Sequence, residues 1–197
     1  MKLHAPAAAR NRQPILEVLR PRLPADGLVL EVASGSGEHV VHLAAALRHL
    51  VFQPTDPSPA ARDSIDGWAG ASGLANVRPA VALDAAAPEW PVTRAVAVLC
   101  SNMIHIAPWA AAAGLVAGAA RVLPVRGLFY LYGPFRVAGR HTAPSNDAFD
   151  RDLRERNAEW GVRDLEAVTA LATTHGFAAP EVIDMPANNL SLAFRRT

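Results

Sequence analysis

The 197 residues carry nineteen Lys+Arg against eighteen Asp+Glu, a formal charge of +1, so no overall charge excess points to nucleic acid or an anionic membrane surface. Hydrophobic residues make up 51% and charged residues 19%, too apolar for a disordered chain and enough for one domain with a full core. The single cysteine, Cys100, rules out an internal disulfide framework and points to a reducing compartment.

The first fourteen residues lack the long apolar run of a secretory signal. The most apolar stretch, Ala110 to Val125, is broken by Gly114, Gly118, Arg121 and Pro124 well short of a membrane span. The expected setting is cytoplasmic. In chain order, Leu28 to Ala33 reads as a buried strand, and Glu38 to His49 as a helix with Val40, Leu43, Ala44 and Leu47 at helical spacing. Leu50 to Asp56 reads as strand, after which Ser58 ahead of Pro59 starts a helix toward Ala71. Val77 to Leu83 and Ala95 to Cys100 are further strands, Pro108 to Val122 an alanine-rich helix, and Gly127 to Tyr132 a fifth strand. Asp164 to His175 is helical and closes on Gly176. Glu181 to Met185 and Leu190 to Arg195 are strands whose short link, Pro186 to Asn189, suits an antiparallel hairpin.

Alternation at this spacing predicts an α/β fold: a Rossmann-like, doubly wound, seven-stranded and mostly parallel sheet with an antiparallel C-terminal hairpin and helices on both faces. Residues 1–197 are expected to form one domain. Within it, 133–161 is extra to the plan, turn-rich to Asn146 and then a charged helix over Asp147 to Trp160. It emerges after the fifth strand, at the sheet's carboxyl end, and is expected to act as a lid or substrate wall.

Glu31-Val-Ala-Ser-Gly-Ser-Gly-Glu-His39 joins the first strand to the first helix. Gly35 and Gly37 allow a tight turn that brings backbone N–H groups to a ligand. No Gly-Lys-Ser/Thr is present for a phosphate loop, and Val40 stands where a dinucleotide fingerprint has Gly or Ala. Glu31, inside a strand, needs a partner if buried. This E-x-A-x-G-x-G pattern resembles the first motif of class I S-adenosylmethionine-dependent methyltransferases, with Ala33 replacing the first glycine. Under that resemblance Asp56, at the end of the second strand, would hold the ribose hydroxyls, and Asp84, past the third, the adenine amino group. Helix capping by Asp56 and an ordinary turn aspartate at Asp84 are the competing interpretations.

More of the chain resembles a particular family. Arg10-Asn-Arg-Gln-Pro-Ile-Leu-Glu-Val-Leu19, the glycine loop, Ser101-Asn-Met-Ile-His-Ile-Ala-Pro-Trp109, Tyr132-Gly-Pro-Phe135, Trp160-Gly-Val-Arg-Asp164 and Met185-Pro-Ala-Asn-Asn189 are similar to the methyltransferase-like 26 family. Its bacterial members are catalogued as a domain of unknown function. The resemblance implies S-adenosylmethionine as cofactor, S-adenosylhomocysteine as product, and a cofactor site of Asn11, Glu31, Ala33, Ser34, Gly35, Gly37, Asp56, Pro57, Leu83, Asp84, Ser101, Asn102 and Met103.

Methyl transfer requires a nucleophile held in line with the sulfonium methyl and, for a protonated acceptor, a base. His105, past the fourth strand, is the candidate general base, with Asn102 and Tyr132 beside it as catalytic candidates; helix entry is the alternative for His105. Trp109, Phe135, Arg140, His141, Asn146, Asn188 and Asn189 supply aromatic walls and polar groups for a small-molecule acceptor with an O, N or C nucleophile. The Asn-Pro-Pro-Tyr/Phe signature of base methylation is absent, so neither a nucleic-acid nor a membrane partner is expected, and the chain is expected as monomer or homodimer. The seven histidines are scattered, so no metal is expected. The alternatives are a protein that binds S-adenosylmethionine without methyl transfer, and one that uses the cofactor's charge for another reaction.

Overall fold

The computed structural model describes residues 2–197, which form eight strands: β1 (Leu28–Val32), β2 (Val51–Thr55), β3 (Ala97–Ser101), β4 (Leu128–Gly133), β5 (Arg136–Val137), β6 (Arg140–His141), β7 (Glu181–Met185) and β8 (Asn189–Arg195). Six make one sheet in the order β2-β1-β3-β4-β8-β7, and β5 and β6 pair as a separate hairpin. β1 to β4 run parallel, and β8 runs antiparallel to both β4 and β7. Strand order reverses at β1, which lies between β2 and β3, so a crevice opens at the carboxyl ends of β1 and β3.

Period-two alternation divides the core into two layers. Leu30, Val32, Val98, Phe129 and Leu131 meet α4 (Trp109–Val122) and α6 (Leu165–Thr174). On the other face Val29, Leu99 and Tyr130 pack with α1 (Pro6–Leu19), α2 (Glu38–Ala46) and Ile65 of α3 (Pro59–Ser72). The layered, mostly parallel architecture follows the sequence expectation, with three differences.

The sheet has six strands where seven were expected. Val77 and Val81 each bridge β2, but no ladder joins them. Pro54 and Pro79 interrupt the main-chain pairing because neither has an N–H to donate. The buried amide of Gln53 fills the gap, its Nε2 donating to Pro79 O at 2.8 Å and Pro54 O at 3.1 Å. Second, α1 has no counterpart among the elements expected from the sequence; it continues past Pro14, and Ile15, Leu16 and Leu19 bury a stripe against α2. Third, the charged helix of 133–161, α5, spans Pro144–Arg156, with Pro144 in its first turn, and a β5–β6 hairpin precedes it. No helix among the described residues is long and apolar enough to cross a membrane.

Candidate functional site

β1 ends at Val32 and the chain turns through 33–37 before α2. Ala33 (φ 57°), Gly35 (φ 58°) and Gly37 (φ 92°) all adopt left-handed backbone. Gly37 cannot carry a side chain, because a Cβ there would lie 2.7 Å from the Ile65 Cα. At Gly35 the same position meets nothing within 4 Å, leaving open space beside the backbone. Ser34 closes the loop onto β2: its N–H donates to Thr55 O at 2.9 Å and its hydroxyl oxygen accepts from Thr55 N at 3.2 Å.

Asp56 is buried at the end of β2. Its Oδ2 accepts from Gly35 N at 3.0 Å and its Oδ1 from Ser58 N at 2.9 Å. It therefore both anchors the glycine loop and caps the turn into α3. Each oxygen retains a further acceptor lone pair.

A cavity of about 440 Å³ opens beside this pair, within the size range of small-molecule sites. Ala33, Gly35, Asp56, Pro57, Leu83, Asp84, Ser101 and Met103, all expected cofactor contacts, line it. Ile106, Ala107, Pro108 and, from the first turn of α4, Ala110 and Ala111 make the opposite wall. Asp84 is exposed at the rim, with Oδ1 accepting from Ala86 N at 2.9 Å. It is therefore both a turn aspartate and a cavity residue.

The remaining expected cofactor residues, Asn11, Glu31, Ser34, Gly37 and Asn102, do not line this cavity. Glu31 is buried, and its Oε2 has no hydrogen-bond partner. Burial pushes its carboxyl up to about 7, opposed by the Ser34 hydroxyl and assisted by the charge of Asp56. Asn11, on α1, accepts at Oδ1 from His39 Nε2 at 2.7 Å and also lies against the Tyr132 hydroxyl. Burial drives His39 down to about 4, so it is neutral there. Asn102 is held in left-handed backbone (φ 61°), with its N–H donating to Tyr132 O at 2.8 Å.

The general-base role expected of His105 does not fit its surroundings. The side chain is wholly buried and absent from the cavity wall. Nδ1 accepts from Arg163 N at 3.2 Å, so the neutral ring carries its proton on Nε2, which has no partner. Burial, with the Arg163 charge, lowers the imidazole to about 3. Its ring packs edge-on against Phe135 at 4.9 Å, and Gly133 borders Nε2, where a Cβ would clash at 2.6 Å. His105 is a buried acceptor through Nδ1 whose main chain, N–H to Asn102 O and carbonyl to Gly161 N, also positions the loop after β3.

The expected acceptor residues disperse. Phe135 is buried in the core and does not line the Asp56 cavity, while Arg140 is exposed on the β5–β6 hairpin. His141 turns toward α5, with Nε2 3.5 Å from Asp150 Oδ2 and 3.7 Å from Asp147 Oδ1. Trp109 sits outside the cavity wall under the Arg163 guanidinium, 5.7 Å from its ring centroid. Asn146 and Asn188 do meet: Asn146 Nδ2 donates to Asn188 O at 2.9 Å, joining α5 to the terminal hairpin. The Asn189 amide donates instead within its own turn, to Pro186 O at 3.1 Å.

Sequence reasoning missed two residues. Arg163 donates to Ile104 O (2.9 Å) and Ala107 O (2.7 Å), holding the cavity rim from the end of the 133–161 insertion. Glu38, just after the glycine loop, accepts from Ala5 N (2.7 Å) and Ser36 Oγ (2.9 Å), fastening the N-terminal segment there. Arg163 stood inside a quoted motif, and Glu38 inside the glycine motif, but neither had an assigned task. Among the described residues no group of three or more His, Cys, Asp or Glu could hold a metal ion.

The fold is similar to several solved methyltransferases. An O-methyltransferase family protein from Burkholderia thailandensis matches with a TM-score of 0.82 and 17% identity, covering 97% of this chain and 57% of that one. Human N-acetylserotonin methyltransferase, in complex with S-adenosylmethionine, matches at 0.81 and 12%, covering 96% and 52%. CalO1, a methyltransferase of calicheamicin biosynthesis in its S-adenosylhomocysteine-bound form, matches at 0.76 and 15%, covering 97% and 55%. This chain thus spans little more than half the length of these proteins, and the shared feature is the Rossmann-like methyltransferase fold. Residues 2–196 also match the family described as "Protein of unknown function (DUF938)".

Proposed function

For this chain, which belongs to the DUF938 family of proteins of unknown function, we propose binding of S-adenosylmethionine in the cavity beside Asp56 and transfer of its methyl group to a small-molecule acceptor. The observation that carries this is the tie between Asp56 and Gly35 at a cavity of cofactor size, at the reversal of strand order. The residues fit the group in three respects. Asp56 keeps lone pairs for two ribose hydroxyls, Asp84 stands at the rim for the adenine amine, and the buried Oε2 of Glu31 lacks a partner that a cationic amine would provide. The cofactors in the human and CalO1 structures support the same choice, as does the sequence resemblance to the methyltransferase-like 26 family.

When bound, the cofactor supplies an electrophilic methyl group on a sulfonium. The protein's work is to orient and to exclude water. Gly35 presents open backbone, Ser101 and Met103 line the cavity and would contact the bound cofactor, and Asn102 is fixed by its main-chain bond to Tyr132. His105 holds the 102–106 loop against Gly161 and Arg163, with its carbonyl accepting from Gly161 N at 2.9 Å. Neither Asn102 nor Tyr132 lines the cavity, and Tyr132 is buried in the α1–α2 layer with its hydroxyl against Asn11, so no side chain is assigned to touch the acceptor; 133–161 is the candidate cover. With no base assigned, placement of the acceptor carries the rate. The second option, cofactor binding without methyl transfer, is favoured by the one observation that the buried His105 leaves no histidine facing the cavity.

Titration with S-adenosylhomocysteine and with NAD tests the cofactor. Binding of the first and not the second is expected. Equal binding of NAD contradicts the assignment.

A further inference from the structure

We propose that a groove at the amino-terminal ends of the strands, rimmed by Arg22, Arg94, Arg121, Arg126 and Arg195, docks an acidic peptide segment of a partner protein. The groove lies at the opposite end of the sheet from the Asp56 cavity and does not depend on what that cavity binds. It is built from segments far apart in sequence: the exit of α1, the approach to β3, the last turn of α4, the turn before β4 and the end of β8. Two hollows of about 450 and 320 Å³ share Val96 and Pro124 and so lie side by side. No carboxylate lines either one. Among the described residues the one acid paired with these guanidiniums is Glu181, which accepts from Arg22 through both oxygens.

The cations are held together at a cost. Arg195 donates to Arg126 O at 3.2 Å and to Arg22 O at 2.8 Å, drawing the three arginines to one spot. Burial, and then the Arg22 and Arg126 charges, hold Arg195 below its ordinary value. Arg126 occupies left-handed backbone (φ 68°) in a turn closed by Gly127 N donating to Pro124 O at 2.8 Å, a place where glycine is preferred. The neighbouring Val125 is 70% exposed. Val125 and Arg126 thus present an apolar and a cationic side chain side by side at the groove, which an anionic, partly apolar occupant would use.

Charge complementarity and shape choose the occupant. An extended peptide points alternate side chains to opposite sides, so acidic residues reach the guanidiniums of Arg94, Arg121 and Arg126 while apolar ones lie against Val96, Pro124 and Val125. The guanidiniums of Arg22 and Arg195 are engaged with Glu181 and main-chain carbonyls. No aromatic ring lines the groove to stack a nucleobase.

The test measures fluorescence anisotropy of a labelled decapeptide alternating Glu and Leu, with a Lys–Leu decapeptide, an oligothymidylate and phosphatidylserine vesicles as comparison probes. Saturable binding of the Glu–Leu peptide is expected, weakening from about 50 to about 300 mM salt. Arg94 and Arg126 are exposed, so the double variant Arg94→Ser, Arg126→Ser should fold normally, bind the peptide at least about tenfold more weakly, and keep the parent's affinity for S-adenosylhomocysteine. Absent binding, equal binding by the variant or by the Lys–Leu peptide, or tighter binding of oligonucleotide or vesicles overturns the proposal.

Discussion

The main-chain N–H of Arg163 donates to Nδ1 of His105 at 3.2 Å, and that bond settles which end of the imidazole carries the proton. Loss of the ring leaves this buried donor unpaired, costing about 1–3 kcal/mol, and removes the edge-on contact with Phe135, worth about 0.5–1.5 kcal/mol. His105→Ala is therefore expected to lower stability by about 2–4 kcal/mol in denaturant melts, with S-adenosylhomocysteine affinity changed less than about threefold. Unchanged stability would return His105 to candidacy as a base. The acid limb follows too. With a folded value near 3 against an ordinary 6.5, His105 contributes stability present above about pH 6.5 and lost as pH falls toward 3, so the variant's acid limb should be shallower.

Glu31 works in the opposite direction. Its folded value near 7 lies above the ordinary 4.5, so its contribution is fully present below pH 4.5 and lost as pH rises through 7. Glu31→Gln removes the ionisation penalty, up to about 3 kcal/mol at high pH by the conversion of pKa to energy. The variant's melting temperature relative to the parent should be higher at pH 8 than at pH 5. A difference independent of pH would show that the carboxyl is ordinary.

The glycine loop predicts two substitutions of opposite sign. Ala33 pays for left-handed backbone that glycine adopts without strain, so Ala33→Gly should be neutral or stabilising by up to about 1 kcal/mol. Gly37→Ala meets both the strained φ and the α3 backbone, and should cost about 2–4 kcal/mol. Equal effects in thermal melts would mean that the loop relaxes freely.

How legible this was varies by residue. Leu28–Val32, Glu181–Met185 and the alanine-rich helix were readable because their periodicity is local. The place of Asp56 at the end of β2 is legible because a strand end followed by Ser58-Pro59 is a sequence event. The missing seventh strand was not, because it depends on Pro54 and Pro79 meeting across a sheet edge and on the Gln53 side chain replacing the ladder. The place of His105 after β3 is legible in the sequence, but its burial is not, being made by Phe135, Gly161 and Arg163, which tertiary packing brings there. The acceptor residues dispersed because His141 and Asn146 answer to α5 and the terminal hairpin, contacts that no local pattern announces.

The 133–161 segment is proposed to cover the acceptor, anchored at its end by Arg163. Hydrogen exchange with and without S-adenosylhomocysteine should show added protection in 133–156, beyond that in the 33–37 loop. Protection confined to the loop would reduce the segment to a fixed decoration.

Calorimetric titration of S-adenosylhomocysteine into the parent and into Asp56→Ala tests the cofactor site most directly. Charge-assisted bonds from ribose hydroxyls to a carboxylate are worth about 1.5–3 kcal/mol, so the variant should bind at least about tenfold more weakly while remaining folded. Equal affinity in the two proteins would mean that Asp56 serves only the Gly35 and Ser58 amides, and that the cavity beside it is not where the cofactor sits.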